Sequence, residues 1–250
     1  TGYVNNVADN ARQTQHEMVY QKMNHPSLCF WGIFNEVLVS DGKRFREYDD
    51  PLPMIRELND LYHRLDPTRL TTFATCVDQT RYLGCSDLIA WNKYTVWKNA
   101  ETDAAKFFDN ARRNSGGTPV GVSEYGRGGS TVQHADPLYY KEDDVPGTYH
   151  PEEYQAVCHE GYWRAIKERP WLWTKTVWQF SDMQSSIKDE GDTPGINDKG
   201  MVTYDRKTRK DAFYFYKANW NPQPMLHLCS KRFDRRKHPV TDIKAYTNLK

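Results

Sequence analysis

The chain has 250 residues, enough for one large domain or two small ones, and aromatic residues make up 14% of it. Its 34 Lys and Arg against 33 Asp and Glu leave a net charge of +1, so no general field recruits nucleic acid or an anionic membrane. No apolar run approaches the roughly 20 residues of a membrane helix and no basic-then-apolar leader opens the sequence, so neither nucleic acid nor membrane is an expected partner.

In chain order, residues 7 to 24 predict a helix with Val7, Ala11, Met18 and Val19 toward one side, stopped at Asn24-His25-Pro26. Ser27 to Phe34 is apolar almost throughout and reads as a strand buried on both faces. Met54, Ile55, Leu58, Leu61, Tyr62 and Leu65 follow helical spacing until Asp66-Pro67. Leu70 to Thr75 and Asp87 to Trp91 are strand candidates. A helix over Glu101 to Asn114 closes at Gly116-Gly117, and Pro119 to Ser123 is the next strand. Pro151 opens a helix carrying Tyr154, Val157, Cys158, Gly161, Tyr162, Ala165 and Ile166. Trp173 to Phe180 reads as a strand and Lys210 to Trp220 as an amphipathic helix.

Strands alternating with helices imply parallel pairing and right-handed crossovers. The irregular stretches 36–50, 92–100, 125–150 and 181–206 each follow a strand, so they belong at the C-terminal edge, where parallel α/β folds carry ligands. Beyond Asn221 the pattern changes to short strands, Leu226 to Cys229 and Thr241 to Thr247, which read as the beginning of a β domain. The five cysteines fall in no paired or metal-finger spacing and read as isolated, mostly buried thiols. The eight His show no close ligand spacing, so no metal and no cofactor is expected.

The apolar strand ending at Phe34 runs directly into Asn35-Glu36, and Val120-Gly121-Val122-Ser123 runs into Glu124-Tyr125-Gly126. A carboxylate behind a run of large apolar residues is costly unless paired or used. Two Glu at the C-terminal ends of parallel strands suit glycosidic bond cleavage, one as proton donor and one as nucleophile. Taken singly, each reads equally well as a helix cap or an Arg partner.

Asn24-His25-Pro26-Ser27, Trp31 and Asn35-Glu36 resemble the acid/base segment of glycoside hydrolase family 2, and Ser123-Glu124-Tyr125-Gly126 its nucleophile strand. Trp178-Gln179-Phe180-Ser181-Asp182 resembles its eighth barrel strand and Asn197-Asp198-Lys199-Gly200 the loop beyond. The resemblance runs from about Val7 to Trp220. It implies a TIM (β/α)8 barrel, of which about five C-terminal βα units lie in residues 1–220, with residues 221–250 beginning an Ig-like β-sandwich domain. Strands one to three would then belong to a longer enzyme. An open sheet exposes parallel edges, which points to homo-oligomerisation or low activity of these residues alone.

The implied mechanism is a retaining double displacement in which Glu124 attacks the anomeric carbon and Glu36 protonates the leaving group, then deprotonates water. Glu36 has to be protonated in the free enzyme, which the apolar run before it and an ionised Glu124 both favour. By the same resemblance Asn35 bonds the sugar 2-hydroxyl, Tyr94 sits beside the nucleophile and Asn92 lines the same wall. Trp178 is implied as a sugar platform, Asp182 as a substrate ligand or loop anchor, and Asn197 and Lys199 as contacts on the sugar's far side. His25 reads as a helix-stop residue.

The expected substrate is a terminal β-galactoside or oligosaccharide. That choice rests on Gly191-Asp192-Thr193-Pro194, Lys199-Gly200-Met201-Val202, Asp205-Arg206 and Lys210-Asp211-Ala212-Phe213-Tyr214, which resemble β-galactosidases. The alternatives are a β-glucuronidase, for which Asn197-x-Lys199 supplies a cation for a uronate carboxylate, a β-mannosidase, or a carbohydrate-binding piece without catalysis. The family resemblance places the enzyme in the periplasm or cytoplasm of a bacterium.

Overall fold

Residues 2–37, 51–77, 82–139 and 147–249 are described by the computed structural model. The predicted irregular stretches 36–50 and 125–150 therefore lie outside the described residues over 38–50 and 140–146, as does the side chain of Val7. Contacts divide the chain into two compact units, residues 1–93, 107–123 and 170–175, and residues 94–106, 124–169 and 176–250. Among the described residues no helix is long and apolar enough to cross a membrane.

The first unit contains α1 (Gly2–Lys22), β1 (Phe30–Asn35), α2 (Leu52–Leu65), β2 (Leu70–Thr75) and β3 (Leu88–Asn92). It also holds most of α3 (Ala100–Asn114) and of β4 (Val120–Glu124). The strands form one sheet in the order β1-β2-β3-β4, and the β1–β2 and β2–β3 pairs are parallel. Sequential order, with α2 between β1 and β2 and α3 between β3 and β4, follows the alternating pattern. β3 is buried at all five positions, having neighbours on both sides.

β1 corrects an expectation. Among the described residues only Trp31 of β1 is buried and Phe30 is 38% exposed, with β2 the one strand paired to it. Trp31 anchors this edge, stacking on Tyr62 with ring centroids 5.4 Å apart, and Val19, Met23, Leu28, Ile33 and Leu65 pack around the pair. Its Nε1 donates to Asp66 Oδ2 (3.0 Å), which also receives Arg69 Nη1 (2.6 Å). Arg69 Nε in turn donates to the Leu28 carbonyl (2.9 Å), so the residue that ends α2 fixes the entry into β1. Burial would raise the Asp66 carboxyl, but its bonds from Thr68, Arg69 and Trp31 hold it well below the usual carboxylate range.

Residues 173–180, expected as a strand, do not form one. Trp173 N donates to Val120 O (3.1 Å) and Thr174 O accepts from Val122 N (2.9 Å). A regular parallel ladder would use one residue for both bonds, and here two successive residues share them, so pairing is limited to a bridge at Lys175.

The second unit contains α4 (Glu152–Lys167), β5 (Met183–Gln184), β6 (Ile196–Asn197), α5 (Asp211–Trp220), β7 (Leu226–Leu228) and β8 (Ala245–Thr247). Its core stacks Tyr125 on Tyr162 (4.4 Å) and Trp97 on Tyr154 (4.2 Å). Tyr216 OH donates to Tyr125 OH (2.8 Å), and His159 Nδ1 lies 2.9 Å from Tyr216 OH. Burial, helped by the nearby Lys210 charge, pushes His159 down to about 3, so this histidine is neutral.

β5 and β6 pair antiparallel, a hairpin inside the stretch expected to be irregular. β7 and β8 also pair antiparallel, and Met225, Cys229 and Tyr246 pack against Tyr214, Phe215 and Ala218 of α5. Of the thiols, Cys85, Cys158 and Cys229 are buried as expected, whereas Cys29 is exposed among the described residues.

Candidate active site

The residues singled out in the sequence fall in both units. Asn35, Glu36 and Asn92 belong to the first, and Tyr94, Glu124, Trp178, Asp182, Asn197 and Lys199 to the second.

In the first unit the β1–β2 register shifts between Gly32 and Asn35, a bulge that re-aims the end of the strand. Glu36 follows with φ of 52°, a left-handed conformation that a residue with a Cβ holds only when its surroundings impose it. Glu36 N donates to Ala74 O (3.0 Å), which fixes the backbone at that point. Asn92, at the end of β3 and 3% exposed, clamps the tip. Its Nδ2 donates to Asn35 Oδ1 (2.9 Å) and Glu36 Oε1 (2.8 Å), while its Oδ1 accepts from Ser123 Oγ (2.6 Å). Both donors and the acceptor of one amide are thus engaged. Ser123 was not singled out in the sequence.

In the second unit Tyr94 OH donates to Glu124 Oε2 (2.7 Å). Lys199 Nζ lies 5.8 Å from the centroid of the same Tyr94 ring and 3.1 Å from Glu190 Oε1. Glu190 Oε1 also meets Lys188 Nζ at 3.3 Å. Burial would raise the Glu190 carboxyl, but Lys199 and then Lys188 hold it below its ordinary value. Asn197, in β6, accepts from the Lys199 backbone N–H (3.2 Å) and so shapes the turn that presents the lysine.

Asp182 is buried, and its Oδ1 accepts from Lys210 Nζ (2.7 Å) and Gly200 N (2.9 Å). Lys210 is itself 1% exposed and donates also to Asp198 O (2.8 Å). Burial raises Asp182 despite the Lys210 charge. A cavity of about 310 Å³ is lined by Asp182, Asp192, Asp198, Ser130, Thr131 and Thr203. Trp178 is half-buried, its N–H donating to Tyr125 O (2.9 Å), and the Trp178–Gln179 peptide is cis. Gly126 has φ of 154°, and a Cβ there would lie 2.5 Å from the Trp178 carbonyl oxygen, so only glycine allows this approach.

One group of metal-ligand type was not legible in the His spacing: atoms of Asp211, His227 and Cys229 all lie within 4.8 Å of one another. His227 Nε2 meets Asp211 Oδ1 at 2.8 Å and Ser230 N donates to Asp211 Oδ2 (2.7 Å), so both carboxylate oxygens already tie β7 to the start of α5.

Residues 4–223 match the family model for the glycosyl hydrolases family 2 TIM barrel domain. The chain belongs to glycosyl hydrolase family 2. The parallel sheet β1–β4 is accordingly part of the family's (β/α)8 barrel. A β-glucuronidase of Bacteroides fragilis is 42% identical over 250 residues, covering 98% of this chain and 34% of that protein. The chain thus spans about a third of the length of such family 2 relatives. An FMN-binding β-glucuronidase of Faecalibacterium prausnitzii L2-6 superposes with TM-score 0.83 at 33% identity, over 96% of this chain and 36% of that one. A putative β-galactosidase of Bacteroides fragilis superposes with TM-score 0.85 at 28% identity, over 97% and 35%.

Proposed function

We propose that the protein of which these residues are part is a retaining β-glucuronidase, in place of the β-galactosidase expected from the sequence. Glu124 is the nucleophile and Glu36 the general acid and base. Asn92 orients Glu36 and Asn35, leaving Asn35 to meet the sugar 2-hydroxyl, and Tyr94 orients Glu124. Trp178 offers a face to the sugar ring, and Asp182 acts as a loop anchor through Lys210. Residues 1–220 are the catalytic barrel portion and residues 221–250 the beginning of a β domain.

The observation that carries the choice of sugar is the 42% identity to a β-glucuronidase, together with the ammonium of Lys199 beside Tyr94, the partner of Glu124. A uronate differs from a galactoside by one carboxylate, and a charge-assisted contact to it is worth about 1.5–3 kcal/mol.

The test is a side-by-side assay of aryl β-glucuronide and aryl β-galactoside hydrolysis by the full-length protein, with Lys199→Met beside it. Faster glucuronide turnover is expected, with kcat/KM for the glucuronide alone falling roughly 10- to 100-fold in the variant. Faster galactoside turnover by the wild type overturns the reading. Proton NMR of the first-formed sugar, expected as the β-anomer, tests retention.

A further inference from the structure

The lysine assigned above to the substrate carboxylate already has a carboxylate. Glu190 Oε1 lies 3.1 Å from Lys199 Nζ and 3.3 Å from Lys188 Nζ, so one oxygen bridges two ammonium groups. The arrangement is built by the β5–β6 hairpin. Ser185 N donates to Gly195 O and Gly195 N to Lys188 O, both at 2.8 Å, closing the loop that carries Lys188 and Glu190. Gly191, next to Glu190, has φ of 73°, and a Cβ there would lie 2.4 Å from Asp198 Oδ2. Asp198 is in turn held by His150 Nδ1 (2.8 Å), so the backbone beside Glu190 is fixed against a buried pair.

We propose that Glu190 is the resident counter-ion of Lys199, competing with the substrate carboxylate, and that Lys188 receives Glu190 when Lys199 turns to substrate. The proposal rests on the uronate reading given above. Two cations and one anion leave the cluster with one positive charge in the empty site. An arriving carboxylate completes two pairs, Lys199 with substrate and Lys188 with Glu190, and no ammonium is left uncompensated. Lys188 is the more exposed of the two lysines and so the cheaper place for Glu190 to wait. The carboxylate of a uronate lies away from the anomeric carbon, so its contact is the same before and at the transition state. Changes in the cluster therefore act on KM and leave kcat in place.

Two variants of the full-length protein give opposite signs. Glu190→Gln removes the competitor, so KM for an aryl β-glucuronide falls by about 1.4- to fivefold with kcat unchanged, the range of a part-exposed ion pair. Lys188→Met removes the alternative partner, so Glu190 holds Lys199 more tightly and KM rises by about two- to fivefold. KM for the aryl β-galactoside stays constant in both variants. A loop that merely needed the cluster for its shape would weaken glucuronide binding in both variants, and that result overturns the proposal. So does an equal change for both sugars. If the wild type prefers the galactoside, the glucuronidase reading fails and the proposal falls with it; if it prefers the glucuronide and Glu190→Gln does not lower KM, the proposal alone fails.

Discussion

Tyr94→Phe removes one hydroxyl and keeps the ring that Lys199 faces. The lost bond is an O–H···O⁻ contact of 2.7 Å to Glu124 Oε2. Hydrogen bonds to a charged group contribute about 1.5–3 kcal/mol, or roughly 10- to 100-fold in a rate they control. With Glu124 as the nucleophile proposed above, which step they control follows from the charge on it. In glycosylation the carboxylate loses charge as it bonds to the anomeric carbon, so a donor on it stabilises the ground state more than the transition state. In deglycosylation the carboxylate is the leaving group and regains charge, so the same donor stabilises the transition state.

Tyr94→Phe should therefore slow deglycosylation by roughly 10- to 100-fold while kcat/KM, which reports glycosylation, changes by about threefold or less. Since the glycosyl-enzyme then accumulates, KM falls together with kcat. Stopped-flow release of a chromogenic aglycone from an activated aryl glucuronide checks this as a burst stoichiometric with enzyme. A loss of kcat/KM as large as the loss of kcat, with no burst, would refute the reasoning.

Asp182→Ala leaves Lys210 buried with only the Asp198 carbonyl, and a stranded buried charge costs about 3–5 kcal/mol. Urea denaturation should show that loss, and Asp182→Leu combined with Lys210→Met should recover part of it. His159, held down to about 3 in the fold against about 6.5 when unfolded, binds a proton in the unfolded chain first. Its contribution is complete above about pH 6.5 and is lost as pH falls toward 3, at up to about 1.4 kcal/mol per pH unit. Stability curves at stepped pH should be flatter over that window for His159→Gln than for the wild type. Thiol labelling of the native protein should leave Cys158 and Cys229, both buried, unmodified. Burial pushes those two thiols up to about 11 and about 12, so they should react only on unfolding.

The sheet was legible where local pattern and environment agree. Leu70–Thr75 and Leu88–Asn92 are short apolar or β-branched runs inside a sheet, and both appear within a residue of where their composition puts them. Phe30–Asn35 reads the same way and forms β1, paired with β2. Residues 173–180 have strand composition too, but their hydrogen bonds to β4 alternate between adjacent residues and stop at a single bridge. The β5–β6 hairpin was invisible because strands of two residues carry no period to detect.

The same distinction separates the two sugar readings. The residues that favoured a galactoside hold the fold: Gly191 closes on Asp198, and Asp205 ties its own turn through Thr203 Oγ1 (2.7 Å) and Lys207 N (3.1 Å). Ala212 is buried, and Tyr214 stacks on His227 at 3.6 Å. A sugar is distinguished by the groups that face its own, and in the uronate reading proposed above that group is the ammonium of Lys199. Its meaning depends on Glu190, nine residues upstream and brought to it by a hairpin that the sequence does not announce. Specificity therefore has to be read from charges that the fold leaves within reach of substrate.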